Sequence, residues 1–115
     1  MITIYHNPRC SKSRQGLVIV EQSRQPYKVV LYLKDPLNFD EVETIIGQLA
    51  IAPLGLVRKG ETIWKASFKG TTLTDKEIIQ AMVDQPKLIE RPIVVHGNRA
   101  VIGRPPENIE RLLKE

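Results

Sequence analysis

A second cysteine is missing from this chain of 115 residues, so Cys10 has no partner for an internal disulfide. A dithiol redox site would need another cysteine three positions on, where Ser13 stands. A phosphatase-type loop would need an arginine six positions after the cysteine, where Gly16 stands. Metal ligands are scarce as well. One cysteine and two distant histidines, His6 and His96, cannot make a zinc site, so no metal and no bound cofactor are expected. Phosphate-binding and dinucleotide-binding glycine patterns are absent. Aromatic residues are few and scattered, one Trp, three Tyr and two Phe, which argues against a stacking platform for nucleic acid. No apolar run approaches the ~20 residues of a membrane span, and Met1-Ile2-Thr3-Ile4-Tyr5 has none of the features of a signal peptide. The expectation is a cytoplasmic protein, in a reducing compartment where a lone thiol stays free.

What is present is an ordinary globular composition, 42% hydrophobic and 26% charged. The length fits one domain, residues 1–115, large enough to bury about two-thirds of its unfolded surface without staples. Seventeen Lys and Arg face thirteen Asp and Glu, giving a net charge of +4. Such a balance attracts anions, and with no basic run the partner it fits is a small one.

Ile2 to Tyr5 reads as a short strand that runs into a turn at His6-Asn7-Pro8. A proline-free stretch from Ser11 to Ser23 should be helical, and Lys28 to Leu33 a second strand. Strand, helix and strand with so short a crossover predict two parallel strands. Asn38 and Glu41 make a capping-box start, followed by Val42, Ile45, Ile46 and Leu49 at helical spacing. Thr74 and Glu77 open a second such helix, with Ile78, Ile79, Met82 and Val83 inward until Pro86. Between them, Leu54 to Lys69 is expected to hold short helical turns. Ile93-Val94-Val95 and Ala100-Val101-Ile102 flank a Gly97-Asn98 turn and should pair antiparallel. A final helix buries Ile109, Leu112 and Leu113. The fold class is therefore α/β, a thioredoxin-like mixed sheet (β-α-β, helical insertion, β-β-α) covered by helices.

Cys10 falls at the first strand-to-helix junction, where unpaired backbone N–H groups and the helix dipole favour a thiolate. Arg9, Lys12, Arg14 and His6 are close enough in sequence to add positive charge, and Ser11 and Ser13 offer donors to sulfur or to a bound oxyanion. A lone cysteine is by default a small buried hydrophobe. Its setting between Pro8-Arg9 and Ser11-Lys12 favours a reactive thiol instead.

The segment Ile-Tyr-His-Asn-Pro-Arg-Cys-Ser-Lys-Ser-Arg resembles the active-site segment of the glutaredoxin-coupled arsenate reductase family. The likeness continues through Val30-Leu31-Tyr32-Leu33, Leu56-Val57-Arg58-Lys59, Glu90-Arg91-Pro92-Ile93-Val94-Val95 and Ile102-Gly103-Arg104-Pro105. It implies that Cys10 is the nucleophile, that His6 tunes its thiolate, and that Arg58, Arg91 and Arg104 hold the oxyanion, to which the Ser13 read above as a donor is added. For the first arginine, Lys59 is a neighbour that could face the site in its place. Arg91-Pro92 is implied to be the cis-proline junction of the fold. Arsenate or a similar oxyanion is the implied substrate, glutathione the co-substrate and glutaredoxin the protein partner. Two features depart from the pattern. Ser11 stands where many relatives have glycine, and the longer C-terminal tail of plasmid-type members is missing, which places the chain in a shorter, chromosomal branch. Two further readings share the fold: a regulator that binds RNA polymerase, disfavoured by Ser13 in place of a second thiol, and a general glutathione-dependent thiol-transfer enzyme.

Overall fold

Ile2 and Ile4 alternate with Thr3 and Tyr5, and the alternation becomes a half-buried strand, β1 (Ile2–Tyr5), whose two isoleucines are fully buried. The computed structural model describes residues 1–68 and 70–114 of the chain, which form two compact units, Met1–Asp35 with Arg91–Glu115, and Pro36–Glu90.

In the first unit, helix α1 (Ser11–Gln22) connects β1 to the parallel strand β2 (Tyr27–Val30). Strands β3 (Ile93–His96) and β4 (Arg99–Ile102) form the expected hairpin, and β3 lies antiparallel to β1. The strand order is β2-β1-β3-β4. Strand β2 is shorter than its apolar run predicts. The backbone turns after Val30, because the N–H groups of Lys34 and Asp35 both donate to the carbonyl of Leu31, at 2.9 and 2.8 Å. At the hairpin only Gly97 takes a positive φ, 67°, so Asn98 is not the second left-handed residue of the turn.

Ile2, Ile4, Val20, Val94, Ile109 and Leu112 make one buried cluster between the sheet, α1 and the closing helix α5 (Glu107–Leu113). Each such side chain contributes on the order of 1.5–3 kcal/mol by leaving water. Two glycines let the backbone of this unit close around Pro92. A Cβ on Gly16 would lie 2.7 Å from the Pro92 ring, and one on Gly103 would lie 2.8 Å from the same ring and 2.7 Å from Ile109. Gly16 therefore marks a close approach of α1, with no room for the arginine that a phosphatase loop would carry.

The second unit is the helical insertion. Helices α2 (Phe39–Leu49) and α4 (Asp75–Asp84) both start with complete capping boxes, Asn38 with Glu41 and Thr74 with Glu77, as their spacing predicts. Their apolar stripes pack on each other with Val42, Ile45, Ile46, Ile78, Ile79 and Met82 buried. Between them the span expected to be short helical turns contains a 3-10 turn at Pro53–Leu56 and helix α3 (Thr62–Ser67). Lys69, the last residue of that span, lies outside the described residues. Local periodicity does not disclose one further feature, an antiparallel bridge between Val57 and Ile89. No helix among the described residues is long and apolar enough to cross a membrane.

Candidate active site

Cys10 is the N-cap residue of α1, in extended conformation (φ −97°, ψ 122°). No side chain caps this helix and no acidic residue occupies its first turn. Backbone N–H groups and the positive end of the helix dipole are thus left for the sulfur. Helices α2 and α4 instead carry carboxylates in their first turns, which would repel a thiolate.

The loop before the helix is shaped by Asn7, whose part in the site the sequence discloses only as an Asn-Pro turn. Its carbonyl accepts from the Cys10 N–H at 3.0 Å, and its Oδ1 accepts from the Arg9 N–H at 3.0 Å. Arg14 Nη1 donates to the Pro8 carbonyl at 2.8 Å, which ties the second turn of α1 to the same loop. Beneath the loop Ser13 is fully buried, and its hydroxyl has two partners. Its Oγ accepts from the Asn7 N–H at 3.0 Å and shares a 2.7 Å hydrogen bond with His6 Nδ1.

His6 is itself buried, and burial is the main cause that holds its pKa below the ordinary 6.5; the Arg14 charge adds to this, against the Ser13 hydrogen bond and the Glu21 charge. Burial thus favours the uncharged ring. Where proximity in sequence suggested a positive charge beside the sulfur, the ring reaches the loop through Ser13.

For the Cys10 thiol, burial pushes the pKa up. The Ser13 N–H, the Arg91 side chain, the Lys12 N–H and the Arg104 charge outweigh it, and the thiol pKa lies below the usual 9.0. Ser13 thus serves the sulfur by its backbone N–H while its hydroxyl serves His6 and Asn7. Arg104 is held in two places. Its Nη2 donates to Cys10 Sγ at 3.4 Å and its Nε to the Arg91 carbonyl at 2.8 Å. The peptide bonds Arg91-Pro92 and Arg104-Pro105 are both cis; the first is the junction the resemblance implies. Three dispersed segments of the first unit, residues 6–13, Arg91 and Arg104, are therefore brought to one sulfur atom.

Arg58 lies in the second unit. The Val57–Ile89 bridge is flanked by Arg58 N–H donating to Leu88 at 2.7 Å and Glu90 N–H donating to Leu56 at 2.8 Å. This sets the two side chains together, Arg58 Nε 3.3 Å from Glu90 Oε1 and Nη1 4.0 Å from Glu61 Oε2. The guanidinium is half-buried, whereas Lys59 is exposed and donates to the Leu54 carbonyl at 3.1 Å. Among the described residues no group of three His, Cys, Asp or Glu could hold a metal ion.

The Ser13 network has a consequence for stability. Ser13→Ala is expected to cost about 1–3 kcal/mol, because the Asn7 N–H and His6 Nδ1 are left buried without that partner. Thermal unfolding measures it; an unchanged midpoint would remove the network from the account. The lowered His6 pKa also sets a pH dependence. Because the folded pKa is lowered, unfolded His6 binds the proton first as pH falls below about 6.5, and stability declines with acid from there down to the folded value.

The sequence profile of the ArsC family matches residues 5–112. An arsenate reductase of Neisseria meningitidis is 39% identical over 114 residues, covering 97% of each chain. An uncharacterized Escherichia coli protein, YfgD, is 42% identical over 110 residues, 94% of this chain and 92% of that one. Among solved structures, an arsenate reductase from Vibrio cholerae superposes with a TM-score of 0.90 at 37% identity, covering 96% of this chain and 95% of that one. With its thioredoxin-like mixed sheet and its cysteine at the head of the first helix, the chain belongs to the ArsC family.

Proposed function

We propose that the protein reduces arsenate to arsenite with Cys10 as the only enzyme thiol, using glutathione and glutaredoxin, in the cytoplasm. The observation that carries the reading is the Arg104 guanidinium 3.4 Å from a sulfur that stands at the uncapped start of α1. A thiolate is a nucleophile for arsenic, and the same cations offset its repulsion from an incoming oxyanion. Arg91 and Arg104 are the guanidiniums that hold the oxyanion beside Cys10. Ser13 lends its N–H to that end of the helix. His6 acts through Ser13 and is a positioning residue.

The chemistry balances as follows. Cys10 Sγ bonds to As(V) and displaces one oxygen, which leaves as water after protonation. Glutathione displaces a second oxygen in the same way. A glutaredoxin thiolate then attacks the glutathione sulfur; the S–As bond breaks with both electrons remaining on arsenic, which becomes As(III), and the two thiols are oxidised to a mixed disulfide. Water cleaves the remaining bond between Cys10 and arsenic, releasing arsenite and the free thiol. With one cysteine in the chain, every reducing electron comes from outside it.

The test is arsenite yield from purified protein with arsenate, glutathione and glutaredoxin, each left out in turn. Turnover should need all three. Arsenite formation that persists without glutathione would overturn the scheme.

A further inference from the structure

A cleft of about 340 Å³ opens along the outer side of the Cys10 loop, between residues 6–9 and the turn after β2. That volume lies within the ~300–1,000 Å³ range of small-molecule sites. Its walls have a simple chemistry. Leu31 and Leu33 supply apolar surface, Leu33 being 40% exposed, while Arg9 and Lys34 stand exposed at its edge. No acidic residue lines it, and among the described residues neither cation is ion-paired. The geometry of the turn keeps Lys34 there, since its N–H is fixed on the Leu31 carbonyl at 2.9 Å. The backbone of Arg9 is held likewise by its N–H on Asn7 Oδ1, one residue before the nucleophile.

From this arrangement we infer that the cleft is the glutathione site, with the two carboxylates of the tripeptide on Arg9 and Lys34 and its cysteinyl portion against Leu31 and Leu33. The inference rests on the proposed use of glutathione and adds where it binds. Two carboxylates at the ends of one short, extended molecule match two cations on opposite segments, and a monothiol without carboxylates gains nothing from them. A molecule seated there lies against the residues that lead into Cys10, which suits a thiol that must follow Cys10 onto the same arsenic.

The experiment has two arms on the intact protein. In the first, Lys34→Glu raises the KM for glutathione about tenfold, the loss expected of one charge-assisted contact. The rise is absent when 2-mercaptoethanol replaces glutathione, and absent in Lys28→Glu, an equal charge change on β2 outside the cleft. In the second, S-methylglutathione, which cannot react, shifts the amide resonances of Leu31, Leu33 and Lys34. Equal KM changes in Lys34→Glu and Lys28→Glu, or amide shifts confined to another surface, overturn the inference. If no arsenite forms under any condition and S-methylglutathione still occupies the cleft, the arsenate reading fails while the tripeptide site stands.

Discussion

Cys10→Ser is expected to bring arsenite formation below about one thousandth of the unmodified rate, the scale on which removal of a covalent nucleophile is felt. The hydroxyl keeps the size of the thiol and the place at the head of α1, so the fold should be retained and the loss should be chemical. What disappears is ionisation. The Ser13 and Lys12 N–H groups and the Arg91 and Arg104 guanidiniums hold a sulfur whose pKa already lies below the ordinary thiol value. A serine hydroxyl starts too high for the same partners to bring it into range. The measurement is arsenite yield with glutathione and glutaredoxin in excess, with thermal unfolding as the control for folding. A Cys10→Ser protein that turns over at the original rate ends the proposal.

Arg104→Ala carries the second large effect, a fall in turnover of about 10²–10³, comparable with loss of one preorganised donor at a developing negative charge. Two consequences separate this from general damage. The thiol titration, followed by thiolate ultraviolet absorbance, moves upward because the Nη2 donor at 3.4 Å and its charge are gone. Arg104→Lys recovers part of the downward shift, since charge is kept, but not the fork that holds sulfur and the Arg91 carbonyl together. An unmoved titration in Arg104→Ala would show that the guanidinium does not act on the sulfur. The linked stability has a definite sign. A depressed thiol pKa contributes stability that is fully present above the unfolded value near 9.0 and is lost as pH falls through the folded value.

Much of the fold is written in local patterns. The capping boxes at Asn38 and Thr74, the helical spacing after each, and the Gly97 hairpin all announce themselves over a few residues, and each occurs where it is announced. Boundaries are less legible. The apolar run Val29-Val30-Leu31-Tyr32-Leu33 continues past the end of β2, because the carbonyl of Leu31 is taken by a turn and the propensity of the following side chains has no say in that. Pairings between distant segments are harder still. Nothing near Val57 foretells Ile89, so the Glu90 carboxylate beside Arg58 has no signal in the sequence.

The site divides along the same line. Cys10 at a strand-to-helix junction can be reasoned from its neighbours alone. Arg91 and Arg104 converge on it through tertiary structure, and only the resemblance to known reductases pointed to them. His6 illustrates the converse: nearness in sequence suggests a positive charge, whereas burial of the ring works against one. Asn7 was visible as a turn former and invisible as the residue that accepts the Cys10 N–H.

The bare start of α1 ties folding to chemistry. Because no serine, threonine or carboxylate secures that end, its first amides have the Cys10 sulfur as their counterpart, and its anionic form is the one they favour. Protonation or alkylation of Cys10 removes that counter-charge, and the amides of the opening turn are then expected to exchange with solvent faster. A helix built this way registers the state of the Cys10 sulfur in its own backbone.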